Sequence, residues 1–355
     1  MVQGKRLTFN SRFQIENKTI SEQEKTFIIA EAGVNHNGDI RLAKEMIDAA
    51  SESGADAVKF QTFRTEELIL KNTEKAPYQR VTTDRHESQY DMLKRLEVKK
   101  EQATELRDYC RKRNIIFLST PFEKISLDEL DELGVSAFKI AATDLTNIQF
   151  LRQVAEKGKP IILSAGMCYL EEVVRALEAI HSINKDLVLL QCAANYPIQD
   201  AEANINVIKT FQDTFNVLVG YSDHSQGVGA SPYAVAVGAK VIEKHFTLNK
   251  NMEGPDHKAS VTPDELRQLV LEIRRVERYL GSGIKMPSSS EQMTRKSLQK
   301  CLVASQQIKT GEAFGNDNIV AKRTNGVGIS ALYFDDIVGQ IATRNYKTDD
   351  IIDLN

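Results

Sequence analysis

Eight short, β-branched apolar runs alternate with segments of helical period between residues 26 and 245, a rhythm that restricts the chain to a parallel sheet covered by helices. The runs are FIIAE (27–31), AVKFQ (57–61), IIFLS (115–119), AFKIA (137–141), IILSA (161–165), LVLLQ (187–191), VLVGYS (217–222) and VIEKHF (241–246). In LAKEMIDAASESG, Leu42, Met46, Ile47 and Ala50 form one apolar face, and Gly54 stands where a helix stop is wanted. Thr262 and Glu265 form a capping box around Pro263, ahead of an apolar stripe from Leu266 to Leu280. An open doubly wound sheet shares this rhythm. A closed (β/α)8 TIM barrel is favoured because nearly every run ends in a polar residue, and a closed barrel gathers all those ends at one mouth.

Past Gly281 the texture changes. GSGIKMPSSSEQ reads as a Gly/Pro/Ser linker, and the remainder of the chain consists of short strand-like pieces with turns. The expected organisation is a catalytic barrel with an N-terminal extension at 1–285, a linker at 286–296 and a small β-rich domain at 297–355. Residues before Glu22 are expected to form a β-hairpin that plugs the N-terminal mouth of the barrel. With 46 Lys+Arg against 49 Asp+Glu and a net charge of −3, no basic patch is offered to nucleic acid. The four cysteines (Cys110, Cys168, Cys192, Cys301) form no CxxC pair, which fits reduced thiols. No apolar run is long enough for a signal peptide or a membrane span, so a cytoplasmic enzyme acting on small molecules is expected.

The strand ends carry a distinctive set: Glu31, Lys59 with Gln61, Thr120, Lys139, Ser164, Gln191 with Tyr196, Ser222 with His224, and Glu243 with His245. One or two hydroxyls in such a set serve as ordinary caps. Lys59 and Lys139 are different, because each lies inside an apolar run and a buried ammonium needs an anionic partner. Convergent lysines beside hydroxyls point to a phosphate or carboxylate ligand. His224 and His245 lie about one βα repeat apart, so they fall on adjacent strand ends. Together with Glu31 they make an N/O donor set for a divalent first-row metal. Asp256 and Lys258, in the loop GPDHKAS, hang over the same mouth.

The segments FIIAEAGVNHNGDIRLAKEMIDAASESGADAVKFQTF, LSTPF, GYSDHS and EKHFTL followed by GPDHKAS resemble the sialic acid synthase family, which makes nine-carbon 2-keto-3-deoxy sugar acids, the nonulosonates. CLVASQQIKTGEAF and YFDDIVG resemble that family's C-terminal antifreeze-protein-like domain, so the likeness covers nearly the whole chain. It implies a TIM barrel joined to a small β-clip domain, in a domain-swapped homodimer whose small domain lids the partner's active site. It also implies metal-dependent condensation of phosphoenolpyruvate (PEP) with the open-chain aldehyde of an N-acylated amino sugar, in biosynthesis of cell-surface polysaccharide. The metal so implied is Mn²⁺ first, with Mg²⁺ or Co²⁺ as alternatives. By motif, His224 and His245 match the metal ligands and Glu31 the acid beside them. Lys59, Thr120, Lys139, Ser164 and Ser222 match PEP-binding positions. Gln61, Tyr196 and Asp256 match sugar-side positions, and Arg323 corresponds to the lid arginine.

Three departures from the family pattern bear on specificity. FKIAATDL has Ala142 where the family commonly has serine, and Asp144 where it has glutamate. CAANYP has Ala194 where some relatives carry a polar residue, and the lid reads RTNGVGIS rather than RPGTGIS. Either Glu31 or Asp144 is expected to orient the water that attacks C2 of PEP. The rival readings are a Schiff-base keto-acid aldolase using Lys139 or Lys59, and a non-catalytic carbohydrate-binding protein. The choice between N-acetylmannosamine and a 2,4-diacetamido-2,4,6-trideoxy hexose is left open by the residues.

Overall fold

The computed structural model describes residues 7–76, 79–84 and 86–354. The chain begins as the expected antiparallel hairpin, β1 (Arg12–Ile15) and β2 (Lys18–Ser21); residues 1–6 of that opening stretch lie outside the described residues. Its buried Phe13, Ile15 and Ile20 join one apolar cluster with Ile29, Leu118 and Val241 from the barrel strands. The hairpin therefore plugs the end of the barrel opposite the polar strand ends.

All eight apolar runs are strands: β3 (Phe27–Gly33), β4 (Ala57–Thr62), β5 (Ile116–Pro121), β6 (Phe138–Ile140), β7 (Ile161–Ala165), β8 (Leu187–Cys192), β9 (Leu218–Asp223) and β10 (Val241–His245). They form one parallel sheet in the order β5-β4-β3-β10-β9-β8-β7-β6. Pairing of the first barrel strand with the last, His245 opposite Glu31, curls the sheet on itself. β5 and β6 lie against each other without a hydrogen-bonded register, so the TIM barrel is nearly closed.

Helices cover the outside because each βα crossover returns the chain along the sheet. They are α1 (Ile40–Glu52), α2 (Thr65–Leu68), α3 (Gln79–Thr82), α4 (Gln89–Leu96), α5 (Lys100–Lys112), α6 (Lys124–Leu133), α7 (Ile148–Glu156), α8 (Leu170–His181), α9 (Asn206–Phe215), α10 (Ser231–Ala236) and α11 (Pro263–Leu280). The last starts at the expected capping box, with Thr262 Oγ1 accepting from Glu265 N and Glu265 returning the bond to Thr262 N. Its stripe is buried only as far as Ile273, and Leu280 is exposed. Gly54, at φ +84°, ends α1 in the left-handed region that glycine enters without strain. Between β4 and α5 the three short helices α2, α3 and α4 form an insertion, whose Phe63, Met92 and Leu96 cluster with Val34 from the loop after β3.

The chain divides into two compact units, 1–281 and 282–355. Most of the stretch expected as a linker is helical: α12 (Ser289–Leu298) is opened by a capping box in which Ser288 Oγ accepts from Glu291 N. The serines and glycines around it mask that local signal in the sequence. No residue of α12 is buried. In the second unit β11 (Lys300–Ala304) and β12 (Ile319–Arg323) pair antiparallel over a core of Leu302, Ile308, Phe314, Ile319, Tyr346 and Ile352, followed by the short α13 (Phe334–Ile337). All four cysteines are free. Among the described residues no helix is long and apolar enough to cross a membrane.

Candidate active site

Side chains of a strand alternate between the lumen and the helix layer, so one register sets which residues share the cavity. On β10, Val241 packs in the lumen cluster while Ile242 joins the outer core, which turns Glu243 and His245 inward. The same alternation brings Lys59 and Gln61 of β4, Thr120 of β5, Lys139 of β6, Ser164 of β7, Cys192 of β8 and Ser222 of β9 into one cavity of about 530 Å³. Glu31, Tyr196, His224 and Asp256 complete its polar lining. Gln191 points the other way, donating to Ala203 O.

The floor is a buried charge cluster. Lys59 Nζ lies 2.8 Å from Glu31 Oε2 and donates to Thr120 Oγ1 at 2.6 Å. Lys139 Nζ lies 3.3 Å from Glu243 Oε1, whose other oxygen is 3.9 Å from Lys59. Ser222 Oγ donates to Glu243 Oε1 at 3.2 Å, and Gln61 Nε2 donates to Glu31 Oε1 at 3.3 Å. Burial pushes Glu31 up to about 7 against the pull of Lys59. Burial acts on Glu243 too, but Lys139 and Lys59 outweigh it and hold that carboxyl below its usual range. Burial lowers the Lys139 ammonium, with Glu243 opposing.

Above the floor, the His224 and His245 rings lie 5.4 Å apart, and Tyr196 packs on His224 at 4.0 Å between centroids with the rings tilted by 32°. His224 Nδ1 is 2.7 Å from Ala193 O, so this nitrogen carries the proton and donates, leaving Nε2 as a lone-pair donor. Burial lowers His224 to about 4 and takes His245 well below its ordinary value, so both imidazoles are neutral. Burial also raises Asp256 to about 6. Ser164 Oγ, His245 Nδ1 and Asp256 Oδ1 line this cavity buried and without a hydrogen-bond partner, which is the state of a site shaped for a ligand. Among the described residues no group of three or more His, Cys, Asp or Glu surrounds a single point. Two neutral imidazoles, one with its outer nitrogen already fixed, nevertheless suit a metal whose remaining positions are open to substrate.

One of the residues expected in the site is not brought into it. Asp144 falls in a single 3₁₀ turn, Ala142–Asp144, where it accepts from Asn147 Nδ2 at 3.2 Å and Thr143 Oγ1 at 3.3 Å. It does not line the cavity, although its neighbours Ala142 and Thr143 do. The turn after the very short β6 redirects the chain before Asp144 is reached. Arg323 ends β12 of the second unit and is exposed there. Glu243 carries more than its place among the strand-end groups suggests, since only the cross-lumen distance to Lys139 reveals it as the counter-ion. The cavity wall of Leu68, Ile69, Met92 and Leu93 from the insertion, with Phe122 after β5, is not foreseeable from the sequence, since the insertion's helices are short and carry no motif.

Residues 46–285 match the NeuB family, and residues 299–355 match the SAF domain. The chain is 47% identical over 332 residues to the N,N'-diacetyllegionaminic acid synthase of Campylobacter jejuni, covering 93% of this chain and 99% of that one. It is 43% identical to the N,N'-diacetyllegionaminic acid synthase of Legionella pneumophila, over 90% of this chain and 91% of that one. The crystal structure of N-acetylneuraminic acid (sialic acid) synthetase from Leptospira borgpetersenii, in complex with citrate, is similar with a TM-score of 0.73 and 35% identity. That match covers 82% of this chain and 98% of the other.

Removing the counter-ion of Lys139 tests the charge cluster directly. Glu243→Gln is expected to destabilise the free protein by about 3 kcal/mol, the lower end of the cost of breaking a buried ion pair. Inorganic phosphate should then raise the melting temperature of the variant more than that of the parent. Equal shifts with phosphate would show that Lys139 does not await an anion.

Proposed function

The chain belongs to the NeuB family, and we propose that it condenses PEP with a 2,4-diacetamido-2,4,6-trideoxy hexose, giving a nonulosonic acid of the legionaminic type. Condensation of PEP with an N-acylated amino sugar is its activity. The observation that carries the choice of sugar is the apolar wall of the cavity, built by Phe63, Leu68, Ile69, Met92, Leu93 and Phe122. A methyl group at C6 and acetamido methyls bury against such a wall, whereas a hydroxymethyl group leaves a hydroxyl there without a partner. The two legionaminic acid synthases similar to this chain over nine-tenths of its length agree with that choice.

Lys59 and Lys139, with Thr120, Ser164 and Ser222, hold the phosphate and carboxylate of PEP, exchanging their present carboxylate partners for those of the substrate. Gln61, Tyr196 and Asp256 border the sugar, so C3 of PEP faces the aldehyde carbon. The C2=C3 electrons form the new C–C bond, and the aldehyde oxygen takes a proton to become a hydroxyl. Water then adds to the electron-poor C2, and phosphate leaves with its bridging oxygen as C2 becomes the ketone. Glu31, the carboxylate beside His245, accepts the water proton; of the two candidates Asp144 is set aside because it lies off the cavity lining. A divalent metal held by His224 and His245, Mn²⁺ before Mg²⁺ or Co²⁺, would supply Lewis acidity toward the aldehyde oxygen. A Schiff-base mechanism needs a free amine, whereas both lysines are ion-paired at the floor. The second unit is read as the lid of a domain-swapped homodimer, in which Arg323 meets the sugar in the partner's cavity. Its support is an exposed arginine followed by a Gly-rich turn.

A sugar panel assayed by PEP-dependent phosphate release tests the substrate. The trideoxy hexose should exceed N-acetylmannosamine in kcat/KM by about 10- to 100-fold, the discrimination an apolar pocket gives against one added hydroxyl. Equal rates, or a preference for N-acetylmannosamine, would defeat the assignment. For the metal, His224→Ala and His245→Ala should each lose bound Mn²⁺ and phosphate release while remaining folded; either variant keeping both removes those ligands. For the lid, Arg323→Ala and His224→Ala proteins, each inactive alone, should regain activity when mixed under subunit exchange. Proven exchange without recovery, or a fully active Arg323→Ala protein, rejects the shared site.

A further inference from the structure

Behind the two imidazoles, on the side away from the cavity, lies a buried ion pair with no part in the chemistry above. Asp223 and Lys244 are directly opposed in the β9–β10 register, and both are almost completely buried. Each sits between two cavity residues: Ser222, Asp223 and His224 on one strand end, Glu243, Lys244 and His245 on the next. Alternation along the strands turns Asp223 and Lys244 outward, toward the loop that leads into α10.

There the pair is fully saturated. Asp223 Oδ1 accepts from Ser225 N at 2.8 Å and Ser225 Oγ at 2.5 Å, and Oδ2 accepts from Ser231 N at 3.1 Å and Ser231 Oγ at 2.6 Å. Lys244 Nζ lies 3.1 Å from Asp223 Oδ2 and donates to Ser225 O at 2.6 Å. Gly229 lets the loop fold over this centre: its φ is +56°, and a Cβ there would fall 1.9 Å from Ser225 Oγ.

A buried ion pair is a poor source of stability compared with apolar residues of the same volume, because desolvation offsets most of its attraction. Its directional bonds do something apolar packing does not: they fix where two strand ends stop relative to each other. We propose that Asp223 and Lys244 are positioning residues that hold His224 and His245 at the spacing and orientation the reaction needs. The chain direction transmits this directly, since each imidazole is covalently next to one member of the pair. This inference rests on the metal reading of the two imidazoles.

The test uses the full-length chain with Lys244→Met and Lys244→Gln, the second keeping a donor for Ser225 O without the charge. In Lys244→Met the Asp223 carboxylate keeps its four serine donors, which offset part of the cost of losing the ammonium, and circular dichroism checks that the variant folds. Mn²⁺ affinity is read from the electron paramagnetic resonance of free Mn²⁺ during titration, alongside kcat and the KM for PEP. The expected result is Mn²⁺ affinity and kcat lowered about 10- to 100-fold, the usual effect of losing an outer support of a metal ligand, with KM for PEP moved less than about twofold. Lys244→Gln should recover part of the loss. A folded Lys244→Met with parental Mn²⁺ affinity and kcat overturns the proposal, and so does a KM for PEP that rises as far as kcat falls. If Lys244→Met does not fold, Lys244→Gln decides by the same split. A parental protein that binds no Mn²⁺ removes the metal reading instead, and the kcat-against-KM split then judges the pair by itself.

Discussion

Two ammonium groups and two carboxylates share the floor of a barrel from which water is largely excluded, and the site depends on their mutual neutralisation. A single unpaired charge at that depth costs several kcal/mol even after relaxation. Lys59 is answered by Glu31 from the adjacent strand, where the two residues are register partners. Lys139 is answered from across the lumen, by Glu243 four places along the sheet from β6. That second pairing exists only because the sheet curls into a barrel. The floor is thus a consequence of closure, and it holds two cations ready for an anionic substrate without leaving either exposed to a low dielectric alone.

On the proposed reading such a floor binds by exchange. An incoming phosphate or carboxylate competes with Glu31 and Glu243 for the lysines, so part of the attraction is already spent in the free protein. The displaced carboxylates become acceptors within the same cavity. Glu31, raised to about 7 by burial, is the better proton acceptor of the two, while Glu243 is held low by the lysines and serves as counter-ion. One register therefore separates two chemically identical groups into two tasks.

The part of this architecture that is legible in the sequence is the part set by local forces. All eight barrel strands are readable because a strand buried on both faces must be an apolar run, and the lysines inside two of those runs stand out against that background. His224 and His245 are readable as neighbours because one βα repeat separates adjacent strands. The helix α12 escapes notice, although its capping box is present in the letters, because serines and glycines also describe a linker. Asp144 is carried to the site by the family motif after FKI alone, whereas the 3₁₀ turn Ala142–Asp144 engages it with Asn147 and Thr143. The wall of the cavity is invisible for a different reason. It is assembled from α2, α4 and the segments after β4 and β5, whose apolar residues meet only in three dimensions.

The division between strand-borne floor and helix-borne wall also separates two kinds of change the protein can absorb. Floor residues are tied to the hydrogen-bonded ladder, so moving one displaces its neighbours on two strands. Wall residues belong to a segment anchored mainly by its own small cluster and by ion pairs such as Arg64 with Glu129, which lies 2.5 Å away near the surface. On the proposed reading, substitution of Leu68, Met92 or Leu93 reshapes the space above the floor while Lys59 and Lys139 keep their strand positions. If the wall chooses the sugar as proposed, reaction and sugar choice are mechanically separable in this fold, which is the condition under which one catalytic floor can serve acids that differ only in the substituents of the sugar.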